Sequence, residues 1–250
     1  MSAHTLSLTW HQFRLERRMF WRNPSAAFFG FALPLVFLSL FGSIFSGDQE
    51  ALNHLVPGIA GLSLASNTFS ALSIAVPILR DQGVLKRIRG TAMPTGSYVA
   101  AVLLSSLVNA VLQMVIFVLA GKLFFGLGWP PLPLELIAIV ALGVLCLASL
   151  GVAYAHVIPN ADSAPAYMNI VYLPVIFISG TFFDPENTPE FLRKVAEALP
   201  LSHIIDGLTG AMVTGKHMGD LGSGLGVILL WTVIGVVFAI RGFRWESRDG

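Results

Sequence analysis

Three groups of side chains in this 250-residue chain have types and spacings that chemistry uses. His203-x-x-Asp206 and His217-x-x-Asp220 are pairs whose members lie one helical turn apart; brought together, they would offer four ligands to a metal such as zinc. Ser202, beside His203 and Asp206, has the composition of a nucleophile, a base and an orienting acid. Gly210-Ala211-Met212-Val213-Thr214-Gly215-Lys216-His217 has the spacing of a phosphate-binding loop up to its last position. Each falls short. Nothing in the spacing makes the two His/Asp pairs converge. Adjacent residues cannot by themselves supply triad geometry, and there is no G-x-S-x-G elbow. In the loop-like segment, His217 stands where a Ser or Thr would hold magnesium, and no strand is expected before it. The expectation is a chain with no catalytic residues, no metal site, no cofactor and no ATPase of its own.

The elements around these residues are those of a membrane protein. Hydrophobic residues make up 55%, charged residues 12%, and the mean hydropathy is +0.75. Uncharged runs cover about 25–46, 55–79, 98–121, 136–157, 165–183 and 221–240, each near the roughly 20 residues that a helix needs to cross a bilayer. The expectation is an all-α integral membrane fold: one transmembrane domain, 1–250, with six transmembrane helices. The fifth, interrupted by Pro165 and Pro174, is near the short limit and is either tilted or broken. The first run is too long for a signal-peptide core and lacks an A-x-A cleavage site, so it is expected to remain in the mature protein.

With the N-terminus cytoplasmic, inside segments hold eleven basic residues (Arg14, Arg17, Arg18, Arg22, Arg80, Lys86, Arg87, Arg89, Arg241, Arg244, Arg248), and outside segments hold four (Lys122, Arg193, Lys194, Lys216). The bias sets both termini inside. The single cysteine, Cys146, lies in mid-span, which rules out an intrachain disulfide.

All six apolar cores lack Asp, Glu, Lys and Arg; His156 sits at a cytoplasmic end. Gradient-driven carriers generally use intramembrane carboxylates or histidines as relays, so the driving force is expected from outside the membrane. Ser63, Ser66, Asn67, Ser70 and Ser73 recur at three- and four-residue spacing, with a thinner equivalent in Asn169, Tyr172 and Ser179. Two readings fit this stripe: hydrogen-bonded helix packing, or the weakly polar wall of a translocation path. The Gly222-x-x-x-Gly226 pair is a modest packing signal.

Three segments read as surface elements. Residues 6–22 form an amphipathic cytoplasmic interfacial helix, with Trp10, Phe13, Trp21 and Arg17 on one arc and Arg14, Arg18 and Arg22 beyond it; lipid anchoring explains it, with or without a protein partner. Thr188-Pro189-Glu190 opens a short amphipathic helix that stops near Pro200, and a second apolar piece follows at 201–208. Both are expected on or dipping into the outer leaflet. Residues 80–97 are a basic island in which Arg80, Asp81, Lys86, Arg87 and Arg89 surround an apolar face of Val84, Leu85 and Ile88. Charge alone allows a topology-setting loop or a handle for another protein; as a handle, Val84, Leu85 and Ile88 are expected to be an apolar wedge presented to that partner.

In order along the chain, Arg17-Arg18-Met19-Phe20-Trp21-Arg22-Asn23-Pro24, then residues 80–94, then Ser179-Gly180-Thr181-Phe182-Phe183 with Leu199-Pro200-Leu201-Ser202-His203, resemble the permease subunit of type-2 ABC exporters, drug-resistance-like members above all. The resemblance covers nearly the whole chain. It implies a prokaryotic inner-membrane subunit that pairs with a second permease copy and works with a separate ATP-binding-cassette ATPase, which holds the ATP and magnesium. It also implies that the interfacial helix and the 80–97 segment touch the ATPase, that spans 1, 2 and 5 of two copies face one another around the path, and that the outer helices close it. Asp81 stands where a glutamate is frequent, and Thr209-Gly210 where an arginine is often found. The expected cargo is a small amphiphilic drug, lipid or related molecule, with membrane lipid as surroundings and no nucleic-acid partner. The alternatives are a polysaccharide or lipid-linked glycan exporter, a gradient-driven carrier, and a metal-dependent hydrolase built on His203, Asp206, His217 and Asp220.

Overall fold

The computed structural model describes residues 3–45, 47–91, 93–181 and 189–245. Its first helix, α1 (Ala3–Arg22), ends at Asn23. α2 (Pro24–Ile44) begins on a proline, whose missing N–H costs nothing at a helix start. Asp48 accepts a 3.0 Å bond from the Ala51 amide and so caps the long α3 (Gln49–Asp81). Gly83, at φ 70°, then lets the chain turn directly into the six-residue α4 (Val84–Arg89). α5 (Thr95–Phe125), α6 (Pro133–Tyr154) and α7 (Ala164–Ile178) follow. Beyond them come α8 (Glu190–Ala198), α9 (Pro200–Thr209) and α10 (Ser223–Arg241).

Four of these helices, α3, α5, α6 and α10, are long and apolar enough to cross a membrane by themselves. Two shorter apolar helices, Gly30–Ile44 within α2 and the whole of α7, correspond to the first and fifth uncharged runs. At 15 residues, α7 extends only about 22 Å. It stops at Ile178, where the uncharged run continues to 183; Phe182 and Phe183, like Thr188 and Arg248, lie outside the described residues.

α6 is the core helix: Ile139, Val140, Val144, Cys146, Ala148 and Val152 are all almost fully buried, and α10, α5 and α9 pack around it. The two outer helices differ. α8 buries nothing and carries a surface Lys194–Glu190 pair at 2.7 Å. α9 is packed into the bundle. Leu201, Ile204 and Leu208 are fully buried, because Gly61 on α3 and Gly143 on α6 leave a slot that Ile205 and Ile204 fill; a methyl at Gly61 would stand 2.5 Å from Ile205.

α3 has one irregularity with consequences. Residues Ser66–Ser70 form a π-helical turn, which adds a residue and changes the phase of everything after it. Gly151 of α6 packs directly on the backbone of Phe69 in that turn, where a side chain would clash.

Candidate coupling and translocation site

The island at 80–97 has the expected helix with its apolar face turned inward. Leu85 is fully buried, Ile88 is 9% exposed, and Val84 packs against the same core, so these three hold α4 to its own bundle. A six-residue helix has too few local bonds to stand alone and takes its stability from packing. The surface left outward belongs to Lys86, Arg87 and Arg89, all exposed. The expectation that Val84, Leu85 and Ile88 form a wedge presented to another protein is therefore corrected: the outward surface is cationic.

Arg80 and Asp81 also face the protein. Arg80 is 5% exposed; its Nη2 donates to the carbonyls of Ile158 (2.9 Å) and Pro159 (2.7 Å), and its Nε lies 3.5 Å from Asp81. The other carboxylate oxygen of Asp81 accepts the Ala161 amide at 2.6 Å. Both residues thus grip the turn between α6 and α7. Beside them is a cluster that the sequence reading missed: buried Tyr98 lies 5.2 Å from Phe243 and 5.7 Å from Trp245, and His156 meets Phe243 edge-on at 5.4 Å. Its members come from three distant segments, and no local periodicity links them.

The polar stripe does not stay on one face. Asn67 donates to the Gly30 carbonyl (3.0 Å) and to Gln113, and Gln113 donates to Gly30 (3.0 Å) and to Ser63, which ties α3 to α2 and α5. Ser66 bonds the Tyr172 hydroxyl on α7. Ser73, past the π turn, is fully buried and donates to Gly151 on α6 at 3.4 Å. Ser70 is partly exposed, and Asn169 is exposed on α7. Four of the five residues at helical spacing, Ser63, Ser66, Asn67 and Ser73, thus reach four neighbours, α2, α5, α7 and α6, because the π turn shifts the phase between Asn67 and Ser73. Gln113 and Asn109, an i, i+4 pair on α5, were missed; that spacing inside an apolar run was the available signal.

Below this network, α1 lies along α5. Arg17 bonds Asn109, and its guanidinium sits 5.8 Å over Trp21. Trp10 stacks on Phe13 at 5.0 Å and is half exposed, as is Trp21; Arg18 is exposed. Burial holds the Glu16 carboxyl above its usual pKa, against a bond from Gln12.

His203 and His217 go to separate partners. His203 Nε2 bonds the Glu197 carbonyl at 2.8 Å, with Nδ1 3.7 Å from Asp206, whose pKa burial raises. His217 pairs instead with Glu135 at 2.5 Å, and that bond raises its pKa. Among the described residues no three metal-ligating side chains come within reach of one ion. The 210–217 segment is a π-helical turn, Gly210–Thr214, continuing α9 and closed by Gly215 at φ 68°; no strand precedes it. Gly226 faces open space, so among the described residues no helix packs against the G-x-x-x-G pair there.

A recess of about 320 Å³, lined almost wholly by apolar surface with Tyr154, Tyr172 and Trp231 among its residues, opens between α6, α7 and α10. Phe69, Leu150, Val175 and Phe238 form its walls, and Trp231 donates to Ala198 at 2.9 Å across its outer edge.

Comparison with known proteins fits this arrangement. A family model for the ABC-2 type transporter matches residues 4–213. The chain is 25% identical over 187 residues to the linearmycin resistance permease protein LnrN of Bacillus subtilis, covering 74% of this chain but only 48% of that one, so it spans about half that relative's length. It is 25% identical over 223 residues to Nodulation protein J of Neorhizobium galegae (84% and 82% covered) and 27% over 210 residues to the putative transport permease ycf38 of Porphyra purpurea (78% and 71%). With its apolar helices, inward-turned α4 and family match over most of its length, the chain belongs to the ABC-2 type transporter family as a membrane permease.

Proposed function

We propose that the chain is the membrane subunit of an ATP-driven exporter that moves small amphiphilic molecules out of the cytoplasm, worked by a separate ATPase and paired with a second copy of itself. In this reading α2, α3, α5, α6, α7 and α10 make six crossings, with both termini cytoplasmic and lipid around the apolar faces. The single observation that carries the ATPase-binding part is α4: a helix anchored by Leu85 and Ile88 that offers Lys86, Arg87 and Arg89 outward. Such a surface fits an acidic groove on a cytoplasmic partner, and rigid anchoring lets it carry a push. Ser66, Tyr172 and the exposed Asn169 are the polar groups that two facing copies would bring to a shared path; Ser63, Asn67 and Ser73 hold helices together around it. A relative named for linearmycin resistance supports a drug-like cargo.

Replacing Lys86 and Arg87 together by Gln should abolish co-purification with the ATPase while membrane insertion and yield stay at wild-type levels. Undiminished co-purification refutes the docking surface.

A further inference from the structure

We propose that Arg80 and Asp81 are positioning residues that yoke α7 to α3, so that a displacement entering at α4 moves both helices as one body. This rests on the reading of α4 as the ATPase-docking helix. The positive-inside rule needs only a charge near the membrane surface, which exposed Lys86 and Arg87 already supply. Burying a guanidinium carries a desolvation cost unless hydrogen bonds satisfy it. Arg80 is buried all the same, and its two short bonds, from Nη2, go to the backbone of the Ile158–Pro159 turn, with only the 3.5 Å contact to Asp81 within its own helix. Asp81 grips the same turn from the other side through the Ala161 amide, so a donor and an acceptor on adjacent residues close around one short segment. Ser163 donates twice to Asn160, from its amide to the side-chain oxygen (3.0 Å) and from its hydroxyl to the carbonyl (3.1 Å), which stiffens the remaining link into α7.

A second tie runs between the same helices: Ser66 meets Tyr172 halfway along α7. Three residues beyond the end of α7, the Thr181 backbone packs directly on Gly58 of α3, where a side chain would clash. α7 is otherwise weakly held: only Ala164, Met168 and Ile176 are buried, while Ile170, Leu173 and Phe177 are exposed. α6 contributes one bond, from the Tyr154 hydroxyl to the Tyr167 carbonyl at 2.8 Å, against the bonds at the Arg80–Asp81 end and at Ser66 that attach α7 to α3, so α7 follows α3. Gly83, at φ 70° with open space where a side chain would stand, is the joint through which α4 acts on that pair.

The test uses the full chain in nanodiscs, in a Cys146→Ala background, with spin labels on cysteines placed at Gln82 and Asp162, both exposed beside the yoke. The wild-type yoke is expected to give one narrow distance. Arg80→Gln and Asp81→Ala should broaden it, and so should Ala161→Pro, which removes the amide that Asp81 accepts and leaves both side chains in place. Unbroadened distributions in these variants overturn the yoke. This arm needs no ATPase, so it decides the proposal whether or not the docking reading stands; failure of that reading shows separately, as a wild-type chain that does not retain the ATPase. A second label pair, at Leu145 on α6 and Tyr167 on α7, reads function. In the assembled complex ATP should shift this distance in wild type, and Arg80→Gln should keep the ATPase bound yet lose the shift. A variant that retains the wild-type shift overturns the proposal.

Discussion

In the proposed orientation, the cytoplasmic and outer ends of the bundle use polar residues in opposite ways. At the cytoplasmic end, Arg80 is buried and bonded to backbone carbonyls, Tyr98 is buried among aromatics, and α4 turns Leu85 and Ile88 inward. At the outer end, Glu135, His217 and the Lys194–Glu190 pair lie at the surface, where water screens them. The difference teaches where rigidity has been placed. Groups whose geometry is fixed by buried backbone partners transmit displacement; groups paired at the surface adjust to solvent and transmit little.

The comparison breaks most directly at Leu85. Leu85→Ala should lower stability by about 2–5 kcal/mol, as truncation of a fully buried leucine does, whereas Phe191→Ala on exposed α8 should stay within about 0.5 kcal/mol. Thermal unfolding of the two variants in one detergent measures both, and equal losses would erase the distinction. A smaller effect sharpens the middle of the molecule. Ser66→Ala and Tyr172→Phe should each cost about 0.6 kcal/mol and, combined, little more than either alone, since both remove one bond. Full additivity in a double-mutant cycle would mean that the two hydroxyls do not interact.

The smallest effect belongs to the outer end. His217 has its pKa raised by the bond to Glu135, so the stability it contributes is fully present below the unfolded value, about 6.5, and is lost as pH rises through the folded pKa. NMR titration of His217 should return to an ordinary histidine value in Glu135→Gln; a raised pKa surviving that change would assign the shift to Asp220, the lesser contributor.

The helices were legible where uncharged runs of spanning length made them so, and α3, α5, α6 and α10 follow those runs closely. α4 was legible as a helix with one apolar face, yet periodicity cannot say which body that face meets, and Leu85 meets its own bundle. The burial of α9 depends on Gly61 and Gly143, glycines from two other helices whose partnership exists only in three dimensions. The stripe from Ser63 to Ser73 was read at 3.6 residues per turn; the π turn at 66–70 breaks that period, and no residue type in Ser-Asn-Thr-Phe-Ser announces it.

The shortness of α7 has a consequence for the membrane itself. A hydrocarbon core is about 30 Å thick, so in the proposed six-crossing arrangement a helix of 15 residues meets it with a deficit that the bilayer absorbs by thinning or by lipid tilt beside it. With only Ala164, Met168 and Ile176 buried, α7 would be the crossing most open to hydrophobic mismatch, and in that arrangement bilayer thickness is expected to bias its position.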